Sequence, residues 1–356
     1  MPKDIWESDI NPFNPIKALG AFERMKLISS GFMPAPVTVE LDLSNACNHD
    51  CTWCISQDYR QEVGRMNINT DFAMDILRQL AHYRDLLDYK IKAIHFVGGG
   101  EPLVHPDAIQ IMELATDHFD VGVTSNGGMI TEEFIEKIVP KLKFLRISMD
   151  AYNRESHDKT HVPRTGTYDK IVAMLATARE KAPNTMIGVG YLLHPWNFEG
   201  VDKAIETFDD IGLDYIHIRP CWPMEEKDYL TPEMLEKAHD LIDSVRNDVK
   251  HISIRAVFQK HLDMKEPVRR FNKCLSTPLV GLIGANGKMY LCCDRRGQLE
   301  FGDLNQNSFV KVWNSEHHWE VIRGVDVSTC PRCRYTKYNE LMERAIIDDD
   351  MHMNFL

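Results

Sequence analysis

Three cysteines within eight residues, in Cys47-Asn48-His49-Asp50-Cys51-Thr52-Trp53-Cys54, are the residues best placed to do chemistry. Three thiolates this close can cap three irons of a cubane cluster if the backbone loops around it. The fourth iron is then left without a protein ligand, and a small molecule can coordinate it directly. The competing reading is a zinc site that recruits His49, closed and tetrahedral. The irregular spacing, in place of paired Cys-x-x-Cys hooks, argues against zinc. A second group is Cys274, Cys292, Cys293, Cys330 and Cys333, with only Cys221 between the groups. Four of these with one Cys-x-x-Cys hook suit a second cluster or a zinc ribbon. Nine cysteines, odd in number and bunched, are unlike a secreted disulfide scaffold. Metal binding in a reducing, cytoplasmic setting is the expectation.

These residues need elements to hold them. From about Val37 the chain alternates short β-branched or apolar runs with helical patterns. The strands expected are Val37–Leu43, Ile91–Val97, Val121–Thr124, Phe144–Met149, Met186–Leu193 and Tyr215–Ile218. Between them, helices are expected over Thr70–Leu87, Pro106–Thr116, Thr131–Lys141, Thr167–Lys181 and Phe198–Ile211, with Thr70 and Thr131 as simple N-caps. Strands each followed by a helix imply a parallel sheet with right-handed crossovers and functional residues at the strand C-terminal ends. The first cysteine loop follows the first strand. After Leu230 the pattern changes to a helix over Pro232–Val245, a strand-like Ile252–Phe258 and a hairpin, Leu279–Ile283 turning at Asn286-Gly287 into Met289–Leu291. The expected organisation is an N-terminal extension over 1–36, an α/β domain over 37–260 and a cysteine-bearing domain over 261–356, the last boundary lying between Lys260 and Lys273.

With 356 residues and 44% hydrophobic content the chain can bury a full core. A net charge of -12 argues against nucleic-acid or anionic-membrane partners, which want a basic face. No apolar run reaches the length of a membrane span, and Met1–Glu40 carries no signal-peptide pattern.

The spacing Cys-x-x-x-Cys-x-x-Cys with an aromatic before the last cysteine resembles the radical S-adenosylmethionine (SAM) superfamily. The likeness runs from about Val37 to Ile218. Gly98-Gly99-Gly100-Glu101-Pro102 after the second strand is similar to that family's Gly-Gly-Glu-Pro motif. The resemblance implies a partial (β/α)6 TIM-like barrel in which Cys47, Cys51 and Cys54 hold a 4Fe-4S cluster whose open iron binds SAM. It implies cofactor contacts for Trp53 at the adenine and for Gly99, Gly100 and Glu101 at the amino group. Ser125 and Asn126 end the third strand and Ser148 and Asp150 the fourth, matching strand tips that reach ribose and carboxylate. Arg164, in Arg164-Thr165-Gly166-Thr167-Tyr168, stands for the SAM carboxylate, with Thr160-His161-Val162-Pro163 departing from the usual spacing. His157 and His161 are expected to be structural or solvent-facing.

The later cysteines resemble the SPASM and Twitch branch: Cys274, Gly287-Lys288-Met289-Tyr290-Leu291-Cys292 and Cys330-Pro331-Arg332-Cys333. The resemblance implies a Twitch-like domain in which Cys274, Cys292, Cys330 and Cys333 bind one auxiliary 4Fe-4S cluster, with Cys293 spare. It further implies reductive SAM cleavage to a 5'-deoxyadenosyl radical, hydrogen abstraction, and flavodoxin or ferredoxin as electron donor. Two outcomes follow: epimerisation, which needs a thiol donor such as Cys221, or alcohol dehydrogenation with the auxiliary cluster accepting an electron. His194, Trp196, His217 and Arg219 near strand ends suit a sugar- or cyclitol-like substrate. The alternative is a maturase of ribosomal peptides, for which the segment before Val37 is short for an added recognition domain.

Overall fold

A computed structural model describes residues 19–51, 53–221, 229–258, 271–330 and 333–344. The parallel strands run β1 (Thr38–Leu41), β2 (Ala93–Phe96), β3 (Asp120–Ser125), β4 (Phe144–Ser148), β5 (Met186–Leu193), β6 (Tyr215–Pro220) and β7 (Ser253–Ala256). They neighbour one another in chain order. Their interiors are near-continuously apolar, as in Ile187, Val189 and Tyr191 of β5, because a parallel sheet is covered on both faces. This is the expected α/β partial barrel, lengthened by β7, which the sequence marks as strand-like but leaves outside the six-strand count.

The C-terminal region joins this sheet. β8 (Val280–Ile283) pairs parallel to β1, with Thr38 opposite Val280. β9 (Lys288–Tyr290) and β10 (Glu300–Asp303) then continue antiparallel, giving one ten-stranded sheet in the order β10-β9-β8-β1-β2-β3-β4-β5-β6-β7. The hairpin turn falls where Asn286-Gly287 predicts it, with Gly287 at φ 77. The expected boundary between Lys260 and Lys273 lies largely outside the described residues, as does the start of the N-terminal extension.

Helices cover the sheet through amphipathic faces. In Thr70–His82 the buried residues are Ala73, Met74, Ile76, Leu77 and Leu80, spaced three and four apart. Its N-cap is Asn69, whose side chain accepts from Phe72 N, while Thr70 Oγ1 donates to Asp107 at 2.6 Å. The expected Thr70 cap is therefore one residue off. Thr131 does cap its helix, accepting from Phe134 N. The helix Arg154–His161 is absent from the sequence reading. It starts in a reciprocal capping box: the Asn153 side chain accepts from Ser156 N, and Ser156 Oγ accepts from Asn153 N. Its burial pattern puts His157 and His161, one turn apart, on the inner face.

Candidate active site

The first cysteine loop sits just past β1, zipped on both sides to distant backbone. Asn45 accepts from Met66 N and donates from Nδ2 to Gly64 O, each at 2.6 Å. On the other side Asp50 N donates to His161 O at 3.1 Å, and Arg164 N donates to Asn48 O at 2.9 Å. Gly100 packs so closely against this loop that a Cβ there would lie 2.1 Å from Ala46 O. Glycine is required by that approach.

The three thiols converge. Burial pushes the Cys47 thiol up to about 11, with the nearby Glu101 carboxylate and Cys51 adding to it, and burial likewise raises Cys54. Half-buried thiols such as Cys47 and Cys54 that resist ionisation in the bare protein are what iron would deprotonate and ligate. This donor set fits a cubane cluster.

A buried histidine group backs Cys51. His161 Nδ1 is 3.4 Å from Cys51 Sγ and 3.3 Å from His49 Nδ1, while its Nε2 is 3.3 Å from Asp150 Oδ2. His49 Nε2 faces Thr165 O at 3.2 Å, so that nitrogen carries the hydrogen and Nδ1 presents a lone pair. The Nδ1 contact is then a hydrogen bond only if His161 donates, its one Nδ1 hydrogen being shared between His49 and Cys51 Sγ. Burial alone would lower His161, but the neighbouring Cys51 sulfur and the Asp150 carboxylate hold it up at about 10. His157 stacks on His161 at 4.9 Å, and burial lowers it to about 3. Ligand nitrogens of His49, His157 and His161 lie within 4.8 Å of one another. Neither His157 nor His161 faces solvent, contrary to one of the two places expected for them.

The other strand-tip residues gather at the same end. Glu101 is buried and accepts from Ser125 Oγ at 2.8 Å, Asn126 N at 2.7 Å and Leu103 N at 3.1 Å. The tips of β2 and β3 are thereby tied together. Asn126 Nδ2 donates to Asn48 Oδ1 at 2.8 Å and lies 3.6 Å from Cys47 Sγ. Asp150, in a left-handed conformation with φ 48, accepts from Leu192 N at 2.7 Å and faces His161. Both of its oxygens are engaged within the protein. Ser148 is half-buried at the end of β4 beside Gly190. Arg164 lies on the rim, half exposed, 3.9 Å from Asp50.

Trp53 meets the tips of β5. Its ring is 3.8 Å from His194, which stacks on Trp196 at 4.7 Å. Cys221, buried at the end of β6, donates its backbone N–H to Leu193 O at 2.9 Å, adjoining His194. His217 is buried within β6 and Arg219 half-buried near its end. A cleft of about 260 Å³ beside Cys47 is lined by Gln57, Arg60 and Arg65 among others. Gln57 and Arg60 come from the short helix Gln57–Val63, which no periodicity in the sequence singled out, and Arg65 from just beyond it.

The second cysteine group is drawn from separate segments. Asn339 Oδ1 accepts from Leu275 N and Ser276 N at 2.8 and 2.9 Å, and its Nδ2 lies 3.7 Å from Cys333 Sγ. Arg295 Nη2 donates to Thr329 O and Oγ1 at 2.9 and 2.7 Å, joining the Cys292 loop to Cys330. Burial pushes the Cys274 thiol up to about 12, with Cys333 and Cys330 adding to it. Cys293 is buried in an apolar group with Tyr59, Leu282 and Tyr290, and half-buried Cys292 packs against the same group. The donors suit an auxiliary cluster held from more than one side.

Residues 41–208 match the family model of the radical SAM superfamily, and residues 277–334 match an iron-sulfur cluster-binding domain of SPASM type. The AdoMet-dependent heme synthase of Methanosarcina barkeri is 22% identical over 329 residues, spanning 85% of this chain and 90% of that protein. A tungsten-containing aldehyde ferredoxin oxidoreductase cofactor-modifying protein of Pyrococcus furiosus is 25% identical, spanning 78% and 81%. Among solved structures, Streptococcus suis SuiB bound to S-adenosylmethionine superposes with a TM-score of 0.63 at 16% identity, covering 93% of this chain and 80% of that one. No helix among the described residues is long and apolar enough to cross a membrane.

Proposed function

The chain belongs to the radical SAM superfamily and carries a SPASM iron-sulfur domain, so it is an enzyme of S-adenosylmethionine, a 4Fe-4S cluster and an auxiliary iron-sulfur cluster; from that premise we propose that it abstracts hydrogen from a small polar, sugar- or cyclitol-like substrate. When bound, the first cluster and SAM supply a radical able to take hydrogen from an unactivated carbon. Cys47, Cys51 and Cys54 hold that cluster, and Cys274, Cys292, Cys330 and Cys333 the auxiliary one. Gly99, Gly100 and Glu101 line the SAM amino end, with Ser125, Asn126 and Ser148 at adjacent strand tips. Arg164 approaches the SAM carboxylate from the rim. Asp150 serves by holding His161 against Cys51.

The observation that carries the substrate reading is the contiguity of His194, Trp196 and Cys221, next to Trp53 at the SAM adenine end. Aromatic faces stack on the apolar face of a sugar ring, and imidazole nitrogens bond its hydroxyls. In this reading Cys221 at the neighbouring strand tip returns hydrogen to the substrate carbon. Its sulfur radical would be restored by one electron from the flavodoxin- or ferredoxin-type donor and one proton from solvent. This favours epimerisation; loss of a proton and a second electron to the auxiliary cluster would instead give a carbonyl.

Reaction in deuterium oxide separates the outcomes. Epimerisation places one solvent deuterium at the inverted carbon, and Cys221→Ala stops the inversion while 5'-deoxyadenosine still forms. An oxidised product without deuterium supports dehydrogenation. The second reading, modification of a ribosomal peptide, draws on the solved complex of SuiB with its precursor peptide SuiA, a fold neighbour with a TM-score of 0.61 at 14% identity. Turnover with peptides and none with polyhydroxylated small molecules would replace the sugar reading by that one.

A further inference from the structure

Arg296 lies a few residues beyond Cys292, yet its side chain is 4% exposed and reaches the base of the first cysteine loop. Its Nε is 3.0 Å from Asp42 Oδ2, and its Nη2 donates to Asp42 Oδ1 at 3.2 Å. Nη1 donates to Ser56 Oγ at 3.3 Å, two residues after Cys54, and the guanidinium lies 5.7 Å from the centre of the Tyr59 ring. Asp42 is fully buried just past β1 and also accepts from Gly99 N at 3.1 Å. Its carboxylate packs so tightly on the glycine loop that a Cβ at Gly98 would lie 2.1 Å from Oδ1. A Cβ at Gly99 would lie 2.8 Å from Tyr59. The preceding residue, Arg295, is bonded to Thr329 beside Cys330.

A buried ion pair is weak evidence for stability alone, since well-packed apolar residues often serve as well. What sets this pair apart is where its contacts fall. One guanidinium joins the loop that follows Cys292, the helix that follows Cys54 and the carboxylate on which Gly98 and Gly99 rest. Its fork geometry suits several fixed acceptors at once, which a lysine ammonium would meet less well.

We propose that Arg296 and Asp42 are positioning residues that couple the two cluster sites, so that an ordered auxiliary loop holds the glycine segment in its SAM-binding shape. Neither is among the residues assigned above to SAM or substrate. The inference rests on the assignment of the glycine loop to SAM but not on the substrate, and SAM binding alone tests it.

The test uses the full chain, reconstituted anaerobically. SAM affinity is read from the change in the electron paramagnetic resonance signal of the reduced first cluster. The variants are Arg296→Met, Arg296→Lys, Cys330→Ala with Cys333→Ala, and the combination of Arg296→Met with the cysteine pair. Arg296→Met is expected to weaken SAM binding by roughly 5- to 150-fold, the usual range for coupled sites, with the first cluster still present. Arg296→Lys should fall between it and the parent chain. Loss of the cysteine pair should weaken SAM comparably, and adding Arg296→Met to it should have little further effect, because both break one connection. Unchanged affinity in Arg296→Met and Arg296→Lys overturns the proposal, as do fully additive losses. If Arg296→Met fails to load the first cluster, Arg296→Lys with and without the cysteine pair gives the same reading.

Discussion

The two cysteine groups are built in opposite ways. Cys47, Cys51 and Cys54 come from one loop, and the fold's task is to clamp that loop between the 64–66 and 161–165 segments. Cys274, Cys292, Cys330 and Cys333 come from three separate stretches of chain, and side chains such as Asn339 and Arg295 bring those stretches together. In the first group geometry is mostly local, and tertiary contacts tune it. In the second, tertiary contacts create the geometry, so the site and the packing around it stand or fall together.

Removing Cys47, Cys51 and Cys54 together is the most severe way to test this contrast. Iron after anaerobic reconstitution should fall from about eight to about four per chain, with 5'-deoxyadenosine formation abolished. Retained SAM cleavage in that variant would sink the assignment of the first cluster. Only about four irons in the parent chain would demote the second group to zinc or structure.

Asn339→Ala attacks the second group without removing a ligand, although it also takes away the amide beside Cys333 Sγ. It leaves two buried backbone N–H groups unbonded, which costs about 2–6 kcal/mol by the usual penalty for unsatisfied donors. The urea midpoint should fall and auxiliary iron should be lost selectively, while the first cluster and its SAM-dependent spectrum persist. Equal loss from both clusters would show that the two groups do not differ as described.

His161→Phe, which keeps a ring but no donor, tests the tuning side of the comparison. Losing the donor to Cys51 should make the first cluster harder to reduce, since hydrogen bonds to cluster sulfur raise its potential. A downward shift on the order of 59 mV corresponds to a tenfold one-electron bias. Redox titration that gives the same midpoint in both proteins would reduce His161 to packing.

The smallest effect concerns histidines away from the first loop. Burial lowers His95 to about 3, with Arg146 and Arg334 adding to it, and burial lowers His318 to about 4. Both are neutral in the folded chain, whereas in the unfolded chain they take up protons below about pH 6.5. The stability they contribute is therefore complete above that pH and is lost as pH falls toward 4. Urea unfolding at pH 7, 6 and 5 should show this decline, and a flat profile would contradict it.

Much of the first site is legible because its information is local. Cys-x-x-x-Cys-x-x-Cys fixes three thiols within one loop, and Gly98 to Glu101 follows a strand whose apolar run is plain in the sequence. The alternation of apolar strands with amphipathic helices fixes a parallel α/β sheet, because both periodicities are carried by neighbouring residues. The Asn286-Gly287 turn is equally local. Tertiary structure decided the rest, where partners are far apart in sequence: β8 beside β1, His161 on Cys51 across 110 residues, and Arg296 on Asp42 across 254. Nothing in the residues around His161 or Arg296 distinguishes them from surface polar groups. Only burial, which removes water and leaves each of them one set of partners, gives them a place in the site.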